Sequence, residues 1–396
     1  TLLAECYPGM KAWVDCQRKK EEALGGAHLI KNGFHFADWL ALDNEQPGPF
    51  GATDPLYIAS AYYYKDVRIV AASAEIIGKA EEAEEYQRLS GEILKAIRAT
   101  YFDENGLCNC KTQTGSAIAI MFELNPTEEA RQQEGNVLAQ RVEENHGHLN
   151  TGFVGTTMLC PALTETGHHD IAVQLLLNEE YPGWLYSVNM GATTIWERWN
   201  SIKPDGTFDE SGMNSLNHYA YGSVGDWMYR KVAGLSQLEP GYKRFQIKPM
   251  FVKGIEECGT EFESVYGKIV ANTSCKDGKI HVHVEVPANT TAVIILPEKE
   301  EVHEVGSGVY DFEYDTETSL AVERFSMDST LGEIVAEPLA VEMFNQMAPG
   351  MLEGPMIQFA YGMTLAELLG AAPEARPMYE AVVNALNQKE REKGND

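Results

Sequence analysis

The hydrophobic period of this chain changes at about Glu239, and that change restricts the folds open to it. Before it, apolar residues recur at helical spacing in one segment after another, each closed by glycine or proline. Leu2–Leu24 carries Met10, Trp13 and Val14 and stops at Gly25-Gly26. Thr53-Asp54-Pro55, a capping residue ahead of a first-turn proline, opens a helix through Ile58, Tyr62 and Ile69 to Gly78. Lys79–Tyr101 follows, acidic early and basic late, as the helix dipole favours. The pairs Thr114–Leu124 with Thr127–Asn145, and Thr151–Leu163 with His169–Leu177, continue the pattern, and Leu216–Val232 ends it. Helix, turn, helix repeated in this way predicts stacked helical hairpins, as in a toroid.

Beyond Glu239 the apolar spacing shortens to two. Phe245–Lys248, Gly267–Ser274, Lys279–Val286, Thr291–Leu296 and Val302–Tyr314 read as strands separated by turns such as Lys276-Asp-Gly278. Short strands in series predict a small β-sandwich. After Tyr314 the helical period returns. Thr330-Leu-Gly-Glu-Ile334 recurs as Thr364-Leu-Ala-Glu-Leu368, each a capping box before an apolar run. Asp328–Gln388 therefore reads as a helical appendage, and Glu390–Asp396 as a charged, frayed tail. The expected domains are 1–238, 239–316 and 317–396. Met343, Phe344, Met347, Met351, Leu352, Met356 and Phe359 give the appendage an apolar, methionine-rich surface, which predicts either self-association into a homo-oligomer or docking onto the chain's own sandwich.

Charge narrows the partners. With 31 basic and 59 acidic residues the chain carries a formal −28. It has no Lys/Arg-rich footprint for nucleic acid, and anionic lipids or polyphosphates are disfavoured. No apolar run reaches the roughly 18 residues of a membrane span. The seven cysteines are scattered without Cys-x-x-Cys spacing, which predicts free thiols in a reducing compartment. With no signal peptide in view the expectation is a cytoplasmic protein, although the chain opens at Thr1 with a helical pattern under way, as if an N-terminal part were missing.

The chemistry concentrates in Tyr181–Asn200, which holds Trp184, Trp196, Trp199 and one carboxylate, Glu197, within Ile195-Trp-Glu-Arg-Trp199. Met213–Gly222 follows, with Asn214, Asn217, His218 and Tyr221. Aromatic faces with a few amide, imidazole and carboxylate groups suit a sugar, which offers C–H faces for stacking and hydroxyls for hydrogen bonds. Local composition leaves two roles open for Glu197: chemistry, or a structural salt bridge in a tryptophan-rich corner. Aromatic burial would raise its pKa and Arg198 would lower it. His218 is open in the same way, to ligand contact or to packing, and Asp38 beside Trp39 reads first as a helix cap. His281 and His283 share a strand face without a third ligand, and Asp205–Glu210 lacks EF-hand spacing, so no metal and no cofactor is predicted.

The ordered set Phe36-Ala-Asp-Trp-Leu40, Thr112-Gln-Thr-Gly-Ser-Ala117, Leu149-Asn-Thr-Gly-Phe-Val-Gly155, Tyr181–Tyr186, Gly191–Trp199 and Met213–Gly222 resembles the C-terminal half of bacterial α-L-rhamnosidases, glycoside hydrolase family 78. The resemblance covers Phe36 to about Gly241, and the strands after it are similar to that family's C-terminal sandwich. It implies a mainly α fold with a β domain: part of an (α/α)₆ barrel, then a small β-sandwich, then an appendage that matches nothing in the family. It implies hydrolysis of terminal α-L-rhamnosyl bonds with inversion, by two carboxyls roughly 6.5–9.5 Å apart with a water between them. By the same resemblance Glu197 is the general base, His218 a sugar contact and Trp39 a stacking platform, with Asp38, Trp184, Trp196, Trp199 and Tyr221 as wall residues. The substrates it implies are L-rhamnose-containing oligosaccharides or glycosides. The family's general acid lies in a motif of the kind Asp-x-Pro-x-Arg-x-Glu, which this sequence does not contain. About eight helices are readable before Glu239, where six hairpins need about twelve. This polypeptide alone is therefore expected to have little or no activity. Another (α/α)₆ glycosidase, or a non-catalytic carbohydrate-binding fragment, is the alternative.

Overall fold

A computed structural model describes residues 1–44, 48–299, 301–321, 324–353 and 357–393. The helical region contains α1 (Leu2–Ala23), α2 (Pro55–Ile76), α3 (Ala80–Tyr101), α4 (Gln113–Met121), α5 (Glu128–Glu144), α6 (Phe153–Glu165), α7 (His169–Leu177), α8 (Trp184–Asn189) and α9 (Val224–Trp227). Two layers follow from composition. α4 is buried from Gln113 to Ile120, and α2 and α6 are buried over much of their surfaces. α3 buries one stripe, Ala83, Tyr86, Leu89, Ile93 and Ile97, at the three-and-four spacing of an outer amphipathic helix. α2 packs on α3, α4 on α5 and α6 on α7, and α4 lies beside α6, so hairpins stack with their apolar members inward.

Thr127 and Thr112 cap their helices through side-chain oxygens, as does Asp54 ahead of Pro55. The expected helix Leu216–Val232 begins only at Ala220 and runs as a 3₁₀ turn, one α turn and a π turn. Its first residues form bends outside the helix, where His218 N donates to Ile195 O at 2.8 Å. None of the described helices is long and apolar enough to cross a membrane.

The β region forms two four-stranded sheets from β1 (Leu235–Gln237), β2 (Arg244–Ile247), β3 (Glu257–Ser264), β4 (Gly267–Lys276), β5 (Lys279–Val286), β6 (Thr291–Ile295), β7 (Val302–Val305) and β8 (Gly308–Asp315). Their orders are β1-β2-β6-β7 and β3-β4-β5-β8. β2 and β6 run parallel, Arg244 opposite Thr291, and the β5–β8 pair is antiparallel. Alternation places Ile280, Val282, Val284 and Val286 inward. β1 precedes the expected boundary at 239. The single strand expected over Val302–Tyr314 is broken at Gly306-Ser307, and β3 was not anticipated. His281 and His283 pair with Glu313 and Asp311 on β8. No group of three metal-binding side chains occurs among the described residues.

Backbone contacts divide the chain into two compact units: Thr1–Val252 with Glu257–Ser274 and Lys279–Thr316, and Lys253–Glu256 with Cys275–Gly278 and Glu317–Asp396. The second contains α10 (Leu331–Val335), α11 (Pro338–Met347), α12 (Ile357–Ala360), α13 (Leu365–Leu368) and α14 (Arg376–Lys393), so helix continues into the tail expected to fray. Both capping boxes form. Thr330 and Thr364 face each other in an antiparallel bridge, Leu331 N donating to Met363 O and Leu365 N to Ser329 O. The repeat is thus a pair of matched turns about one core of Phe325, Leu331, Ile334, Phe344, Leu365 and Val382. Phe344 is fully buried there, and Met343, Met351 and Leu352, each partly buried, pack against this core. Met347 and Phe359 are exposed. Met356 lies outside the described residues.

Candidate functional site

Three sequence motifs far apart in the chain meet on one buried carboxylate. Asp38, fully enclosed, accepts at Oδ1 from the amides of Val154 (2.9 Å) and Gly155 (3.0 Å). At Oδ2 it accepts from the Gly152 amide (2.8 Å) and the Thr114 hydroxyl (2.5 Å). These amides belong to the N-terminal turn of α6, whose cap residue, Gly152, has no side chain to do the capping. Asp38 supplies that cap from another segment, at the end of the helix where negative charge is favoured. Burial pushes its carboxyl upward, while the bonds from Thr114, Gly155 and Gly152 pull it down. A Cβ on Gly152 would sit 2.3 Å from Trp39 O, so only glycine lets the two loops close.

The clamp places two aromatic rings. Phe153 N donates to Trp39 O at 2.9 Å. The Phe153 ring then lies 4.9 Å from the His218 imidazole and 5.3 Å, edge-on, from Tyr221. Trp39 is partly exposed and packs edge-on against Phe36 (5.4 Å) and Phe50 (5.2 Å). Behind them Trp199 stacks on Tyr221 at 4.0 Å, Trp184 meets Trp199 at 5.2 Å, and Trp184 Nε1 donates to Tyr221 O.

Glu197 and His218 stand on two irregular segments paired through backbone hydrogen bonds. Glu197 N donates to Ser215 O (2.9 Å), His218 N to Ile195 O (2.8 Å), and Thr194 Oγ1 to Leu216 O. Ser215 N donates to Glu197 Oε2 at 3.2 Å, and the carboxylate is partly exposed. The salt bridge considered for Glu197 is not formed: Arg198 lies 3.9 Å from Asp209 instead. Asp209 also accepts from Asn200 and Ser211, and its backbone oxygen accepts from Asn214. His218 Nδ1 accepts from Ala220 N at 3.3 Å, which leaves Nε2 as the proton-bearing nitrogen of the neutral ring. The arrangement offers a carboxylate without a cationic partner, an imidazole donor and a half-exposed indole.

The structure links Trp39 to His218 through Phe153, and the Glu197 segment to the His218 segment through backbone pairing, but it distributes the expected wall residues differently. Asp38 is interior, and Trp184, Trp196, Trp199 and Tyr221 are 2–6% exposed. They have little surface to give a ligand and form the packing that holds the two segments. Phe153 was missed as a site residue. Its motif was visible, but its contact with His218 depends on long-range pairing.

Comparison with known proteins agrees with this fold. Residues 1–232 match the model of the bacterial alpha-L-rhamnosidase 6 hairpin glycosidase domain, and 234–311 that of the bacterial alpha-L-rhamnosidase C-terminal domain. An α-L-rhamnosidase of Formosa agariphila is 37% identical over 298 residues, 75% of this chain and 31% of the relative. The crystal structure of Streptomyces avermitilis α-L-rhamnosidase complexed with L-rhamnose superposes with a TM-score of 0.71 at 32% identity, over 79% of this chain and 31% of that one. The native α-L-rhamnosidase of Aspergillus terreus gives 0.71 at 33% identity, over 78% and 36%. The chain spans under a third of the length of the curated relatives it matches.

Proposed function

Because this chain belongs to the bacterial α-L-rhamnosidase six-hairpin glycosidase family, we propose that it forms part of a glycoside hydrolase that removes terminal non-reducing α-L-rhamnosyl residues with inversion, with Glu197 as the general base. The observation that carries this reading is the state of the Glu197 carboxylate. Asp38 and Asp209 are engaged by several donors or by Arg198, whereas Glu197 takes one backbone amide and is partly exposed on the segment paired with that of His218. A base needs an oxygen to spare for water, and Glu197 has one. His218 Nε2–H would donate to a sugar hydroxyl and Trp39 would stack on the ring, while Trp184, Trp196, Trp199 and Tyr221 hold the wall from behind.

In this reading the general acid is supplied by polypeptide outside residues 1–396, because the acidic motif that carries it in the family is absent from the sequence. Residues 1–396 alone then have little turnover. The test is Glu197→Gln in a polypeptide long enough to cleave an aryl α-L-rhamnoside. Turnover should fall by about 10²–10⁴-fold with KM little changed, as for loss of a general base. Near-normal turnover would remove Glu197 from the role. Preference for another aryl glycoside would move the protein to a different sugar within the same fold.

A further inference from the structure

A cavity of about 570 Å³ opens between α1 and α2, roofed by the loop from Leu29 to His35. Trp13, Phe34 and Tyr62, lining it, are 53, 72 and 37% exposed, so three aromatic rings are presented where burial would be expected. Trp13 Nε1 donates to Asp66 Oδ2 at 2.9 Å, which fixes the indole against a carboxylate of the opposite helix. Two further lining groups are almost wholly buried, Glu21 and Tyr63, each 3% exposed. Glu21 Oε1 accepts from the His28 amide, but Glu21 Oε2 and the Tyr63 hydroxyl have no hydrogen-bond partner among the described residues. Leaving such groups unpaired is costly, and native interiors seldom do so without a ligand or water in reach.

We propose that this cavity is a second carbohydrate-binding site, taking a neutral pyranose ring. Ring hydroxyls can donate to Glu21 Oε2 and pair with the Tyr63 hydroxyl, and the sugar C–H faces meet the Trp13, Phe34 and Tyr62 rings. Neutrality follows from the lining charges, in which Lys20 and Lys31 balance Glu21 and Asp66. The volume falls within the range usual for small-molecule sites. Phe34 also joins the cavity to the Trp39 platform, through ring contacts of 5.0 Å to Phe36 and 5.4 Å from Phe36 to Trp39. The proposal needs nothing from Glu197, so the two stand or fall separately.

Methyl α-L-rhamnoside and methyl β-D-glucoside are titrated into residues 1–396, followed by saturation-transfer NMR and tryptophan fluorescence. At least one pyranoside should bind saturably. Phe34→Ala, at an exposed position, and Tyr63→Phe, which keeps the ring, should each weaken it by about tenfold, the size of one lost hydrogen bond or stacking contact. Unchanged melting curves establish that both variants fold. His218→Ala, which acts at the rhamnosyl site, should leave the binding component that the two cavity variants weaken as it was. The proposal is overturned if neither pyranoside binds, if both cavity variants bind like the parent, or if His218→Ala abolishes the binding they were meant to report. The first outcome would leave water as the partner of Glu21 and Tyr63.

Discussion

Replacing Asp38 by asparagine tests whether one buried carboxylate fixes the position of both Trp39 and Phe153. An asparagine that keeps its carbonyl oxygen on Val154 and Gly155 turns its NH₂ towards Gly152 N–H and the Thr114 hydroxyl. The hydroxyl can rotate and accept, but the Gly152 amide cannot. Donor then faces donor, and an unpaired buried N–H costs about 1–3 kcal/mol. Losing negative charge at the start of α6 adds about 0.3–2 kcal/mol. Against this, burial pushes the Asp38 carboxyl up, so a neutral side chain recovers part of the cost of holding a charge there. A net loss of about 2–3 kcal/mol follows. Asp38→Ala strips all four donors of their acceptor and should exceed about 4 kcal/mol, in the rare tail of single substitutions. Tryptophan fluorescence in urea is the assay, because Trp13, Trp39, Trp184, Trp196, Trp199 and Trp227 all lie in the first compact unit and report its unfolding alone. An asparagine variant within about 0.5 kcal/mol of the parent, the range of an ordinary surface change, would refute the clamp.

Two further outcomes follow from single interactions. Burial holds the His169 imidazole down to about 4, with Thr164 Oγ1 2.9 Å from Nδ1. The unfolded chain therefore binds the extra proton first. Stability present above about pH 6.5 should fall by on the order of 3 kcal/mol as pH drops towards 4. His169→Phe should flatten that limb of the urea midpoint against pH, and parallel curves for parent and variant would contradict it. In the second unit, Thr330→Ala and Thr364→Ala should each cost about 1 kcal/mol by unfolding followed in far-UV circular dichroism, as lost caps do. Because the two residues face each other in one bridge, the double variant should depart from the sum of the singles, and strict additivity would show the bridge to be inert.

What was legible in the sequence was local. The stripe of α3 and the two Thr-x-x-Glu boxes are readable because their partners lie within one turn or one helix face. β3 escaped because Phe262 is the one strongly apolar residue of Glu257–Ser264, so its period-two signal is faint until Cys258 and Thr260 are seen opposite Thr273 and Ala271. The late start of the Leu216–Val232 helix escaped because its opening residues are taken by Ile195, some twenty positions upstream. Helix propensity cannot register a bond to a distant carbonyl.

The same limit explains the aromatic loop. Composition identifies Trp184, Trp199 and Tyr221 as rings near a carboxylate but cannot say which face a ligand and which face one another, since an irregular loop has no period to separate inside from outside. Packing separates them. The Trp199–Tyr221 stack and the Trp184 indole bond use up the interior rings, and what remains open beside them is Glu197, His218 and the Trp39 edge. A residue pattern shared with a family therefore need not mark contact with substrate. Asp38, Thr114, Gly152 and Gly155 carry three of the matched motifs and work entirely inside the protein, where a Cβ at Gly155 would strike Thr114 Oγ1 at 2.1 Å. Such motifs constrain the candidate site by fixing where the loops cross and which side chains the crossing leaves exposed.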